Sequence, residues 1–498
     1  MGLTRREFLK EGLAAFGFLA LDGLPIFAAS VGFKPKKKPN LVFGILTDTH
    51  LQSGWDGVTP HRAFPLTYVT NAMRLFGERG IDAFVHLGDA AHRGKNVEVQ
   101  YHRDIFEKFF PNGKGRDGRT VEKLVVAGNH ELYGNEVGGN GAWAPNIWKD
   151  PVERAKHILC ADLPRFWQKT WGEKYEKVWH REVGGYHFFG RHWETKEEAL
   201  ADFINEHAEE YGLRGTKPFF ILSHRRHHSQ FFKSLKDFPN AIAFFGHWHQ
   251  SNADWKTIYY DSFGGFFPSI EVGACRNDGG NALDANESVL KAKLDEGNAD
   301  RDDGRKEQNW HSNKVQSRQA MIVNVYDDFV VFERHEVGEG GKLGPDWMLP
   351  LAWREKKDAD GKPFKHPFSR EMLTRRIGAP EFQEKAKMEI GGIGDSLKLT
   401  IPLADGNPKS RVFAYDVVAI GDDPAQKLFK SAYFEGVNLG IGHEPDGGVT
   451  TVEISKADLP AGKNLTLAVR PISSLGTKGK PLVATYSTTT GRLAPRKA

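Results

Sequence analysis

The chain has 498 residues, a length that allows two or more domains. Its 39% hydrophobic and 27% charged residues are the balance of a soluble globular protein. With 68 Lys and Arg against 64 Asp and Glu, the net charge is only +4 and the basic residues are scattered, so nucleic acid is not an expected partner.

Residues 1–30 read as a targeting segment rather than as part of the fold. Thr4-Arg5-Arg6-Glu7-Phe8-Leu9-Lys10 matches the twin-arginine export pattern, an apolar stretch from Gly12 to Leu24 follows, and Ala28-Ala29-Ser30 offers small residues for cleavage. Gly17, Asp22, Gly23 and Pro25 interrupt the apolar stretch, which argues against a transmembrane span. The expectation is export through the twin-arginine machinery to the periplasm or beyond, with no stable membrane span after cleavage; an uncleaved anchor is the alternative. Residues 31–39, with Lys34, Lys36, Lys37 and Lys38, read as a solvated linker.

From residue 40 a pattern recurs five times. Leu41 to Leu46 is an apolar run that stops at Thr47-Asp48-Thr49-His50, and Ala83 to Leu87 stops at Gly88-Asp89. Leu124 to Ala127 stops at Gly128-Asn129-His130-Glu131, Phe219 to Leu222 at Ser223-His224, and Ala241 to Phe245 at Gly246-His247-Trp248-His249. Short apolar runs of this kind are buried strands. In open α/β sheets ligands gather past the carboxyl ends of such strands. Between them, Thr67 to Arg79, Tyr101 to Phe110 and Glu198 to Tyr211 have helical spacing, the first supplying a βαβ crossover. Gly134 to Pro145 is a Gly-rich loop, either one wall of a substrate site or a packed surface loop. Ile270 to Ala274 reads as a further strand, and Ala320 to Tyr326 with Phe329 to Glu333 as a hairpin.

A single strand ending in His is ordinarily a satisfied core residue. Five such endings converging on one rim bring Asp, Asn and several His together, an inventory suited to divalent metal. No Cys stands among them, which disfavours a thiolate zinc site. The ligand count exceeds the need of one ion and points to two sharing a carboxylate.

The blocks Asp48-x-His50, Gly88-Asp89, Gly128-Asn129-His130-Glu131, His224 and Gly246-His247-x-His249 resemble those of the calcineurin-like metallophosphoesterases, over residues 40–337. The resemblance implies an α/β fold: a two-sheet β-sandwich core flanked by helices. It implies two metal ions (Mn, Fe or Zn), one held by Asp48, His50 and His249, the other by Asn129, His224 and His247, with Asp89 bridging. It also implies catalytic roles for Asp89 and His130, His130 stabilising or protonating the leaving oxygen. The expected reaction is hydrolysis of phosphate monoesters by a metal-bridging hydroxide. A phosphodiesterase with the same site is the alternative, and a non-catalytic surface-binding protein on this scaffold a further one. His92 stands where the purple acid phosphatase branch has Tyr, so iron–tyrosinate chemistry is not expected. His92 is a candidate substrate contact or a surface residue. In His224-Arg225-Arg226-His227-His228, Arg225 or Arg226 could bind a second phosphate or an acidic group, the alternative being solvated charge.

Residues 338–379 read as a connecting segment in which Leu343 to Trp347 packs back onto the core and Arg370 to Arg376 forms a short helix. Residues 380–498 contain strand-like runs separated by turns, without long helical patterns, and read as an all-β sandwich. Their last strands resemble fibronectin type III-like domains, and the module carries no catalytic cluster, unlike the nucleotide-binding domain of a 5′-nucleotidase. Cys160 and Cys275 are the only cysteines, and in an exported protein they either pair or stay free.

Overall fold

A computed structural model describes residues 38–53, 66–132, 162–249, 252, 255–276, 318–338, 340–344, 346–351, 353, 365–404, 412–423, 427–433, 449–473, 475 and 477–495. The expected export leader at 1–30, the expected Gly-rich loop at 134–145 and Cys160 lie outside the described residues, as does the question of a disulfide to the buried Cys275.

Two six-stranded sheets form the first part of the chain. One contains β1 (Leu41–Leu46), β2 (Ala83–His86), β3 (Glu122–Val125), β10 (Gln319–Val325), β11 (Phe329–Glu336) and β12 (Trp347–Pro350), in the order β12-β11-β10-β1-β2-β3. The other contains β4 (Val178–Val183), β5 (Tyr186–Arg191), β6 (Phe219–Leu222), β7 (Ala241–Phe245), β8 (Ile258–Tyr259) and β9 (Ser269–Glu271), in the order β4-β5-β6-β7-β9-β8. The strands β1-β2-β3 and β5-β6-β7-β9 run parallel, whereas β10, β11 and β12 add antiparallel to one edge.

The sheets pack face to face, and every residue of β1 is buried because both of its faces are covered. Leu41, Phe43 and Ile45 point into the core between the sheets, where Phe43 meets Phe188 at 5.3 Å and Phe220 at 4.9 Å between ring centroids. Val42 and Leu46 point the other way, toward α1 (Leu66–Arg79), α2 (Asn96–Phe109) and α3 (Leu163–Trp171). The second sheet has its own outer layer, α4 (Glu197–Glu206) and α5 (Ser229–Ser234). Burying each side chain of Phe or Leu size stabilises by about 1.5–3 kcal/mol, so a strand covered on both sides is a firm base for whatever projects from its end. Helix α2 starts five residues before the expected Tyr101, at Asn96, and α4 ends at Glu206 rather than Tyr211.

A third unit is all β. β13 (Glu389–Ile393), β14 (Ser396–Pro402) and β17 (Val449–Ser455) form one sheet; β15 (Val412–Ile420), β16 (Lys427–Tyr433), β18 (Asn464–Ser473), β19 (Leu482–Ser487) and β20 (Arg492–Pro495) form the other. A single hydrophobic cluster joins the two sheets. Leu475 packs against the core of the first unit, and its carbonyl accepts from Arg370 of α6 (Arg370–Ile377) at 3.0 Å.

Candidate metal centre

The carboxyl ends of β1, β2, β3, β6 and β7 meet at one rim, and every metal ligand expected from sequence projects there. Ligand atoms of Asp48, His50 and His249 lie within 4.8 Å of one another, and so do those of Asp89, His224 and His247. Asn129 joins the second group: its Oδ1 is 3.0 Å from His224 Nε2 and 3.1 Å from His247 Nδ1. Asp89 stands between the groups, with Oδ2 at 3.2 Å from His224 Nε2 and 3.7 Å from His50 Nε2.

The backbone is bent to make this possible. Asp48, His50, Asp89, His247 and His249 all have positive φ, and Asn112 is the only other described non-glycine residue that does. Such conformations cost on the order of 1–3 kcal/mol each and cluster at functional sites. The motif glycines answer to close approach. A Cβ on Gly246 would collide with Thr47 Oγ1 and Asp48 Oδ2, and one on Gly128 would collide with Asp89 Oδ1.

The donor chemistry fits a pair of cations. Asp48 is fully buried; Oδ2 accepts from Thr47 Oγ1 at 2.7 Å and from the His247 N–H at 2.8 Å, while Oδ1 lies 3.2 Å from His249 Nε2. His224 Nδ1 lies 2.8 Å from the Leu87 carbonyl, an acceptor only, so Nδ1 carries a proton and Nε2 faces the centre. There Nε2 meets Asn129 Oδ1 and Asp89 Oδ2, both acceptors. Burial disfavours a second proton on His224, but Asp89 and Asp48 outweigh it and raise its pKa to about 9. In the metal-free protein that proton occupies the place of positive charge. Asp48 and Asp89 are held below the usual carboxylate range, because neighbouring His outweigh burial.

His130 does not belong to either ligand group. Its Nδ1 is 2.7 Å from the His92 carbonyl, its N–H donates to Asp89 Oδ1 at 2.9 Å, and its Nε2 is 3.8 Å from Asp89 Oδ2. His92 is half-buried and joins His50 and His130 in a third group of ligand atoms within 4.8 Å. The two neighbouring arginines separate. Arg225 is exposed, its guanidinium 5.8 Å from the Trp193 ring beside the centre, whereas Arg226 lies 5.0 Å from the Tyr259 ring.

Four supporting features go beyond the ligand set expected from sequence. Glu131 is buried, and its carboxylate accepts from the backbone N–H of Gly128 at 2.6 Å, Asp89 at 2.9 Å and Ala91 at 2.8 Å, tying two ligand turns together. Burial and the charge of Asp89 push its pKa up to about 7. His86 accepts from the Gly88 N–H at 3.2 Å and reaches Thr49 Oγ1 at 3.2 Å, and His102 reaches the same hydroxyl at 3.1 Å. Arg276 lies near enough for its charge to depress the pKa of His50 and His92 further, after burial. Trp193 lies against His247 and His224 at 5.1 and 5.7 Å between ring centroids.

Residues 41–251 match the family model described as Calcineurin-like phosphoesterase, and the fold is metallophosphoesterase-like. No curated protein matches the chain. Among solved structures, a dimetal phosphatase from Danio rerio is similar at 11% identity and a TM-score of 0.32, over 63% of this chain and 100% of that one. The purple acid phosphatase PPD1 from yellow lupin (Lupinus luteus) seeds is similar at 14% identity and a TM-score of 0.36, over 66% of this chain and 57% of that one. OgpA from Akkermansia muciniphila is similar at 10% identity and a TM-score of 0.17, over 94% of this chain and 99% of that one.

Proposed function

We propose that the protein is an exported phosphoesterase that hydrolyses phosphate monoesters with two metal ions. Asp48, His50 and His249 would hold one ion, and Asn129, His224 and His247 the other, with Asp89 shared. One observation carries this reading: two ligand groups meet around a single carboxylate, Asp89 Oδ2 lying 3.2 Å from one and 3.7 Å from the other. Imidazole, carboxylate and amide donors without thiolate suit Mn, Fe or Zn.

Bound ions would supply positive charge against the phosphoryl oxygens and make a water at the centre acidic enough to attack at neutral pH. The chain's own residues do the rest. Because the His92 carbonyl fixes the proton on His130 Nδ1, the proton His130 can give resides on Nε2, toward the centre. Protonated there, His130 donates to the departing oxygen, a contribution of about 10²–10⁴-fold. Asp89 orients His130 through its backbone N–H while facing both ligand groups.

Residues 1–30 are read as a twin-arginine leader, which places the mature protein in the periplasm or outside the cell. Replacing Arg5 and Arg6 by Lys should hold the protein in the cytoplasm, read by fractionation. The all-β unit is read as fibronectin type III-like with a structural role; a three-stranded and a five-stranded sheet around one core support that.

The deciding experiment assays the Mn-loaded mature protein against p-nitrophenyl phosphate, with His130→Ala beside it. Turnover that falls at least about a hundredfold in the variant, at unchanged metal content, is the expected result. Two ions bound with no phosphoester turned over would refute the enzymatic reading and favour a non-catalytic scaffold.

A further inference from the structure

Trp193 lies outside the hydrophobic clusters that hold most of the described tryptophans. Its ring is partly exposed and rests against His247 and His224, at 5.1 and 5.7 Å. Its backbone is anchored: the N–H donates to the Ala127 carbonyl at 3.0 Å, beside the Asn129 turn, and the Ala127 N–H donates to His192 Nδ1 at 2.9 Å. His192 in turn stacks on Tyr175 with ring centroids 4.2 Å apart. With its backbone held and its ring resting on two imidazoles, the indole forms a wall beside the centre. Arg225 stands beside it with its guanidinium 5.8 Å from the ring, one residue after the ligand His224.

The wall stands on one flank of the centre. His130 stands beside the other flank, with its ring 4.3 Å from that of His50 and 5.7 Å from that of His92. The departing alcohol belongs on the His130 flank, where its oxygen is protonated. A group on the Trp193 flank is one that stays on phosphorus.

We propose that Trp193 and Arg225 form a subsite for an aromatic group retained on the phosphoryl, so that the protein also hydrolyses phosphodiesters with a planar ring in that position. An aromatic ring gains from stacking on indole, and a planar guanidinium stacks on the same kind of ring while pairing with the anionic diester. An aliphatic retained group would leave the wall unused. This inference rests on the phosphoesterase reading above and adds a substrate class to it.

The test measures kcat and KM of the Mn-loaded full-length mature protein for bis(p-nitrophenyl) phosphate and p-nitrophenyl phosphate, in the wild type and in Trp193→Ala, Trp193→Phe and Arg225→Ala, with metal content determined for each. Trp193→Ala should lower kcat/KM for the diester relative to the monoester about fivefold to tenfold, mainly through KM, and Trp193→Phe should restore most of the ratio. Arg225→Ala should shift the ratio in the same direction by less. Equal losses on both esters, or a loss confined to kcat with falling metal content, would overturn the subsite and leave Trp193 as a prop for His247. If neither ester is turned over, the diester serves as an inert ligand. Its calorimetric affinity should then weaken by the same factor in Trp193→Ala, and unchanged affinity would sink the subsite separately from the enzymatic reading.

Discussion

Raising the pH from 7 to 9 should destabilise the metal-free protein chiefly through His224. This side chain is buried, and burial alone would keep it neutral, yet Asp89 and Asp48 stand 3.2 and 3.9 Å from its Nε2 and raise its pKa to about 9. In the unfolded chain its pKa returns to about 6.5. A folded pKa above the unfolded one means the contribution is complete below about pH 6.5 and is lost as pH rises through about 9. Between pH 7 and 9 the loss comes to about 2 kcal/mol. Neighbouring groups add little in this window: Glu131, raised to about 7, is half titrated at its lower end and adds a loss of about 0.4 kcal/mol, and burial pushes the Cys275 thiol well above it. Urea midpoints of chelator-treated protein at the two pH values, for wild type and His224→Asn, measure the effect. With metal bound the slope should vanish, because the cation replaces the proton, and metal affinity should rise up to about tenfold per pH unit below 9. A drop of the same size in His224→Asn, or a flat wild type, would refute the assignment of positive charge to this position.

The supporting residues give three further tests. Gly246→Ala should weaken metal binding by about 10–100-fold in titration calorimetry, because its Cβ collides with Thr47 Oγ1 and Asp48 Oδ2; unchanged affinity would mean the turn has room the structure denies. Glu131→Gln turns an acceptor into a donor facing backbone N–H groups and should cost about 1–3 kcal/mol in denaturant unfolding, with metal uptake falling alongside. His102 is buried with its pKa depressed to about 3 by burial, so the unfolded state takes up the proton first and stability falls as pH drops below about 6.5. At pH 5 this amounts to about 2 kcal/mol, and His102→Gln should flatten the acid slope of the unfolding midpoint by that amount.

The strands were legible in sequence where burial on both faces made them continuous apolar runs, as in Phe219–Leu222 and Ala241–Phe245, whose limits agree with the structure. β4 carries no such signature, for the opposite reason. It is an edge strand of sequence VWHREV whose half-buried positions mix charged and apolar residues, so no period stands out. α2 begins early because Glu98 is drawn inside, where it accepts from Ser53 and from the N–H of Arg93, a use that side-chain polarity conceals. The metal ligands were readable because each follows its own apolar run. Trp193 was not, since it follows β5 with no motif of its own, and its partner Ala127 is distant in sequence.

A physical regularity ties these observations together without reference to motif. Five of the expected ligands adopt backbone conformations that favour glycine, yet none of them is glycine, because each must carry a donor atom. The glycines sit instead at Gly88, Gly128 and Gly246, where a neighbouring block approaches too closely for a side chain. Local preference is thus overruled at the ligands and obeyed between them. At roughly 1–3 kcal/mol for each strained ligand, the turns persist only because the strands behind them are packed on both sides and because Glu131, His86 and Thr49 tie turn to turn. Cutting a tie such as Thr49→Val should therefore relax Asp48 and His50 toward ordinary φ and lower metal affinity about 10–100-fold, while leaving the hydrophobic cores in place. Unchanged metal affinity in that variant, measured by calorimetry, would mean that the strand packing alone holds the turn.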